Sequence, residues 1–285
     1  PQAGGYPNHA MHHLAIGDAP KEVWSSSIGS GADSESRLVS QPVVSGKHIY
    51  AVDVEGRVSA FEIETGDRVW RMNITPEDED GAVFSGGIAY AYGHLFVSTG
   101  FLDMIALNAV TGEVVWRHTM PSPMRAAPTI SDGRIFVTTF NNQLFVLDVR
   151  NGELLWKHKG FEESAGILGG ASPAISGSMV VVPYTSGEIF GILANNGRIV
   201  WSYALASSRR SDVISSLADI RGNPVIDRDW VFAVSHSGRI VALDMKSGVK
   251  IWEKEIGGIQ TPWVAGAYIY LLTTNNELLC LSREK

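Results

Sequence analysis

Few residues in this chain have types and spacing suited to chemistry. His9, His12 and His13 form a His-x-x-His-His cluster, and imidazoles so spaced can ligate a divalent metal, but no carboxylate or thiolate stands beside them. Glu77-Asp78-Glu79-Asp80 lacks the glycine-punctuated spacing of a calcium loop and reads as a solvated charged loop. Gly86-Gly87 and Gly169-Gly170 are not followed by a Lys-Ser/Thr phosphate cradle. No Gly-x-Ser-x-Gly elbow occurs. Cys280 is the single cysteine, which excludes an internal disulfide and a thiolate metal cluster. Spacing assembles no nucleophile, base and orienter. The expectation is a protein with no catalytic residues, no metal and no cofactor.

Composition narrows the class further. The 285 residues are 45% hydrophobic, enough for a large core. A net charge of −7 argues against a nucleic-acid partner, which favours a basic surface. No unbroken apolar run is long enough to cross a bilayer.

The organising feature is a repeat. Five segments place a tryptophan four residues after a turn glycine: Gly66 and Trp70, Gly112 and Trp116, Gly152 and Trp156, Gly197 and Trp201, Gly248 and Trp252. Trp24 opens the series without a turn, and successive tryptophans are 46, 46, 40, 45 and 51 residues apart. Pro42, Pro128, Pro173 and Pro224 each precede a repeat tryptophan by 28 residues, and Ile88 takes the proline position in the second unit. Each unit reads as four short strands with intervening turns, the signature of an antiparallel propeller blade. The glycines supply positive φ, and Asn108, Asp148 and Asp244 can cap backbone N–H groups beside them. Each tryptophan is expected between adjacent blades as scaffold.

The fold expectation is therefore all-β, a propeller of four-stranded antiparallel blades spanning residues 24–285 after an N-terminal segment, 1–23. The blade units are about 42–70, 88–116, 128–156, 173–201, 224–252 and 262–285. In the last unit Leu279-Cys280-Leu281-Ser282 aligns with Val241-Ala242-Leu243-Asp244, so its next turn glycine would fall one residue beyond Lys285. Either the strand around Trp24 closes that sheet into a six-bladed ring, or the chain is a fragment of a larger one.

Because the proline-to-tryptophan part is constant, length varies between each tryptophan and the next proline. Those connections are expected on one face of the ring, where a rigid scaffold commonly carries binding function. In the longest, Arg209-Arg210-Ser211-Asp212 leads into Val213, Leu217 and Ile220, which share a helical face and predict a one- or two-turn helix. In another, Ile167-Leu168 flanked by glycines predicts an exposed hydrophobic tip.

The Ala-x-Asp/Asn-x-x-Thr/Asn/Ser-Gly-x-x-x-Trp pattern resembles the propeller repeat of the pyrroloquinoline-quinone dehydrogenases. Those enzymes hold the quinone over a disulfide of adjacent cysteines, which this chain cannot form. A closer resemblance, over essentially the whole chain, is to the BamB family, lipoprotein propellers of the bacterial outer-membrane β-barrel assembly machinery. It rests on Gly187-Glu188-Ile189-Phe190 through Trp201, Leu217-Ala218-Asp219-Ile220, and Gly238-Arg239-Ile240-Val241-Ala242-Leu243-Asp244 to Trp252. The opening Gln2-Ala3-Gly4-Gly5 is similar to α-proteobacterial forms.

The resemblance implies a non-enzymatic scaffold at the periplasmic face of the outer membrane. It implies that two adjacent loops dock a POTRA domain of the barrel insertase and that unfolded outer-membrane proteins are a second class of partner. Leu217 and Asp219 match a Leu-x-Asp-x-Asp loop, with Arg221 in place of the second Asp. Ile167 or Leu168 matches a leucine-rich loop whose terminal Arg is replaced by Gly169 or a gap. Ile167, Leu168, Arg209, Arg210, Leu217, Asp219 and Arg221 are the expected partner-binding residues. The family ring has eight blades, so the resemblance further implies roughly 80 residues beyond Lys285 and a lipidated cysteine before Pro1 as the membrane anchor. The alternatives are a quinone- or small-ligand-binding enzyme using the central opening, or a periplasmic interaction propeller with another partner.

Overall fold

The computed structural model describes residues 2, 5–11, 16–32, 38–76, 86–124, 126–161, 169–205 and 219–284. Among them the chain forms six antiparallel sheets, five of four strands and one of three. The first holds β1 (Val43–Ser45), β2 (His48–Val52), β3 (Arg57–Glu62) and β4 (Arg68–Asn73). The second holds β5 (Gly87–Ala91), β6 (His94–Ser98), β7 (Asp103–Asn108) and β8 (Val114–Thr119). The third holds β9 (Thr129–Ser131), β10 (Arg134–Thr138), β11 (Gln143–Asp148) and β12 (Leu154–Lys159). The fourth holds β13 (Ala174–Ser176), β14 (Met179–Pro183), β15 (Glu188–Leu193) and β16 (Ile199–Ala204). The fifth holds β17 (Val225–Asp227), β18 (Trp230–Ser235), β19 (Arg239–Asp244) and β20 (Lys250–Lys254). The sixth holds β21 (Trp263–Ala265), β22 (Tyr268–Leu272) and β23 (Leu278–Ser282). Each sheet is an up-and-down meander, and successive first strands neighbour one another around an axis. This is the all-β propeller expected from the repeat.

The core lies between sheets. Alternating residues of one strand enter two different cores, as period-two pleating requires. Val231 and Ala233 of β18 pack toward the fourth sheet, while Phe232 and Val234 pack toward the sixth. All four are fully buried. In β22 the pattern halves: Ile269 and Leu271 are buried, but Tyr268, Tyr270 and Leu272 are exposed. Among the described residues β23 has no fourth strand beside it.

The tryptophan strands share one irregularity. Trp70, Trp116, Trp156, Trp201 and Trp252 sit opposite Ala60, Ala106, Val146, Gly191 and Ala242, and the register shifts immediately after each pair. The bulge leaves the preceding residue (Val69, Val115, Leu155, Val200, Ile251) unpaired and exposed and re-aims the indole. Each indole crosses to the next blade. Trp70 donates to Ala109 O at 3.1 Å, Trp116 to Val149 O at 3.2 Å, Trp156 to Ala194 O at 3.2 Å and Trp201 to Met245 O at 2.8 Å. The acceptor always lies three residues before the next turn glycine. Trp24 follows the rule by donating to Ile63 O at 3.0 Å, and Trp252 donates to Arg283 O, just past β23, at 2.7 Å. Trp24 thus packs on the first sheet as a preceding blade's tryptophan would.

Gln2 and residues 5–10 do something the repeat does not announce: they run through the axis. Gln2 bridges to Ala89 of β5, and its side-chain oxygen accepts from Ile130 N at 2.7 Å. Pro7 O accepts from Ile175 N at 2.7 Å and Asn8 O from Ile226 N at 2.8 Å. Four of the innermost strands, from four sheets, are stitched by one short segment.

Candidate functional site: the connection face

The turns between second and third strands and the sheet-to-sheet connections share one face, as expected. A repeated bond fixes this: the residue leaving the fourth strand donates to the second turn of its own sheet. Ile74 N meets Gly56 O, Met120 N meets Leu102 O, Gly160 N meets Asn142 O and Leu205 N meets Gly187 O, all within 2.6–3.0 Å. The glycine turns before each tryptophan lie on the opposite face.

The two long connections rise from anchored stems. For the first, Asn142 Nδ2 donates to Phe161 O at 2.6 Å, and Phe161 N donates to Glu188 Oε2 at 3.3 Å. Its ring is 72% exposed at the foot of the connection. Below it, Tyr184 is buried, hydrogen-bonded to His158 Nδ1 at 2.8 Å and stacked on that imidazole at 5.8 Å. Burial raises the Tyr184 hydroxyl far above its usual range and lowers the His158 imidazole, which the Glu188 charge only partly offsets. Both groups are therefore neutral at pH 7 and serve as packing. The second connection leaves at Leu205 and returns at Ile220, both buried in the core between the fourth and fifth sheets.

Of the expected partner-binding residues, the structure places two. Asp219 is buried, 1% exposed, and its carbonyl accepts from His236 N at 2.9 Å. It can position the loop but presents little surface. Arg221 is half-buried, and its guanidinium crosses to the other long connection. Its Nε lies 3.0 Å from where a Cβ on Gly169 would be, so a side chain at that position would press on the guanidinium. Ile167, Leu168, Arg209, Arg210 and Leu217, with the expected short helix and hydrophobic tip, lie outside the described residues. So do Glu77–Asp80, His12 and His13. His9 is fully buried in the axis with Nδ1 donating to Pro224 O at 2.9 Å. Among the described residues no group of three metal-ligating side chains occurs.

Between the connections lies an axial pocket of about 110 Å³. Its wall includes residues preceding the innermost strand of every sheet: Gln41, Gly86, Ala127, Gly170, Asn223 and Gln260. The rim is cross-linked: Asn223 Oδ1 accepts from Ser172 N at 2.7 Å, Asn223 N donates to Thr261 Oγ1 at 3.0 Å, and Ser172 Oγ donates to Ala127 O at 2.8 Å. Sequence reasoning missed this pocket, because its residues recur at the repeat period and no local motif marks them.

Comparison with known proteins supplies the lineage. The family model described as outer membrane protein assembly factor BamB matches residues 18–83 and 54–285. The assembly factor BamB of Salmonella typhimurium is 32% identical over 270 residues, covering 93% of this chain and 68% of that protein. Its counterpart in Escherichia coli K12 is 31% identical over 268 residues, covering 92% and 68%. Among solved structures, BamB from Moraxella catarrhalis superposes with a TM-score of 0.77 at 23% identity, covering 86% of this chain and 72% of that one. A quinohemoprotein alcohol dehydrogenase from Pseudomonas putida shares the propeller fold at a TM-score of 0.63 and 12% identity, covering 85% and 52%. This chain belongs to the outer membrane protein assembly factor BamB family.

Proposed function

We propose that this chain is a non-enzymatic scaffold subunit of the outer-membrane β-barrel assembly machinery. It works at the periplasmic face of the outer membrane, held there in the intact protein by an N-terminal lipid anchor. Its connection face holds a POTRA domain of the insertase and so assists folding and insertion of outer-membrane proteins.

The observation that carries this reading is the convergence of the two long connections at Arg221 and Gly169. The resemblance puts an arginine at the end of the first loop, where Gly169 or a neighbouring gap stands, and an aspartate where Arg221 stands. The Arg221 guanidinium lying over Gly169 delivers a positive charge to that spot from the other loop, so the docking face keeps its cation. Rigid stems under both loops support recognition without large rearrangement. Exposed strand edges add a route for unfolded barrel strands by β-augmentation.

The test is co-purification with the periplasmic region of the cognate insertase. Leu168→Asp combined with Leu217→Asp is compared with the unaltered chain after its melting temperature has been matched. Loss of co-purification supports the reading; undiminished recovery removes this face as the docking site and leaves a propeller with another partner.

The quinoprotein likeness favours a second reading only through the fold. The dehydrogenase-type disulfide cannot form with Cys280 alone, and Gln2, Pro7 and Asn8 already bond to the innermost strands around the axis.

A further inference from the structure

We propose that the axial pocket on the connection face is a binding site for a single carboxylate, supplied by a glutamate or aspartate side chain of a protein segment laid across the ring.

A guanidinium at the mouth of a pocket needs an anion. Arg221 is half-buried, which strips part of its hydration, yet no carboxylate lies within salt-bridge reach among the described residues. A partly desolvated charge without a counterion is costly, and an incoming anion relieves that cost.

The rest of the wall matches. Its side chains bring amide donors, Gln41, Gln260 and the Nδ2 of Asn223, and no acidic residue lines it among the described residues. The orientation of Asn223 is not arbitrary: its Oδ1 is held by Ser172 N at 2.7 Å, which leaves Nδ2 as the free end. Gly86, Gly169, Gly170 and Gly222 bring backbone to the surface without side chains. At Gly222 a Cβ would meet the Gln260 carbonyl oxygen at 2.6 Å, so the pocket cannot be narrowed there.

Size admits the ligand. A volume of about 110 Å³ is well above the roughly 10–15 Å³ that one water needs, so a carboxylate group can enter. The identification of the occupant as a protein side chain rests on the docking reading, because Gly169, Gly170, Arg221 and Gly222, at the ends of the two connections assigned to the partner, line the pocket. A free small carboxylate has the same chemistry.

The experiment titrates the ¹⁵N-labelled full chain with acetyl-Gly-Glu-Gly-amide, its Gln analogue, sodium acetate, and sodium chloride at matched ionic strength. The Gly169, Gly170 and Gly222 amides are followed. The expected result is saturable shifts with the Glu peptide, at least tenfold weaker binding of the Gln analogue, and loss of binding in Arg221→Gln with Arg221→Lys intermediate. Acetate matching the Glu peptide would keep the carboxylate site but overturn its assignment to a protein side chain. Shifts that chloride reproduces, or that survive in a folded Arg221→Gln variant, overturn the site itself. Insertase co-purification of the unaltered chain separates the readings: insertase recovered by a protein whose pocket gives no peptide shifts overturns the pocket and leaves the docking face standing alone.

Discussion

The indole of Trp116 lies directly over Gly152. A Cβ on that glycine would come within 2.7 Å of the ring, while Trp116 Nε1 donates to Val149 O three residues earlier. Gly152 has φ +72° and Gly133, in the same sheet, φ +71°, yet around Gly133 there is nothing for a Cβ to meet. Left-handed backbone costs alanine about 1–2 kcal/mol, and overpacking adds typically about 1–3 kcal/mol. Gly133→Ala should therefore lose about 1–2 kcal/mol and Gly152→Ala about 2–5 kcal/mol in urea unfolding. Equal losses would mean that the tryptophan contact does not set the glycine.

The strap through the axis makes a second prediction. Deleting residues 1–11 removes the acceptors of the Ile130, Ile175 and Ile226 amides. Each buried bond contributes about 1 kcal/mol, so the truncated ring should lose about 3 kcal/mol. Those three amides should exchange with solvent faster than their strand neighbours. Unchanged protection would show that the segment does not occupy the axis in solution.

His9 gives the strap a pH signature. Burial lowers its pKa from 6.5 to about 4, with the bond to Pro224 O opposing only in part. With Nδ1 committed to that carbonyl, Nε2 is buried without a partner, and a second proton would have no acceptor. The folded value lies below the unfolded one, so this contribution is fully present above pH 6.5. It is lost as pH falls toward 4, by about 2 kcal/mol at pH 5. The stability difference between pH 7.5 and pH 5 should shrink by that amount in His9→Asn. Parallel curves for the two proteins would contradict the assignment.

Asp53 holds the segment before the first sheet. Its carboxylate accepts from Ser30 N at 3.0 Å, Glu55 N at 3.0 Å, Arg57 N at 2.8 Å and Arg57 Nε at 2.8 Å. Burial pushes its pKa up, but the bonds from Arg57 and Ser30 outweigh it and leave the value below 3.8. The stabilisation is thus present above pH 3.8 and lost below it. Asp53→Asn should lose about 1–3 kcal/mol at pH 7, and the gap to wild type should close in acid. A gap that persists at pH 2.5 would point to packing rather than charge.

How much of this was legible beforehand follows from what repeats. The tryptophan–glycine spacing located five bulged strand pairs because each indole needs a bare glycine on the next blade, a requirement written into residue identity. The proline positions marked the first strands for a similar reason. The strap left no such mark: Pro7 and Asn8 act through main-chain carbonyls, which any residue supplies. Arg221 was expected at a partner, but its position over Gly169 joins connections that the sequence separates by about fifty residues. The axial pocket takes residues from all six units, so no window of sequence contains it.

The central claim is that the connection face, and not the opposite one, meets the insertase. Phe161 and Val110 are 72% and 73% exposed and lie on opposite faces. A photo-reactive benzoylphenylalanine replaces each in turn, and the cognate insertase is irradiated with either variant. The account predicts a covalent adduct with a POTRA domain from position 161 and none from position 110. An adduct from 110, or equal yields from both, would contradict it.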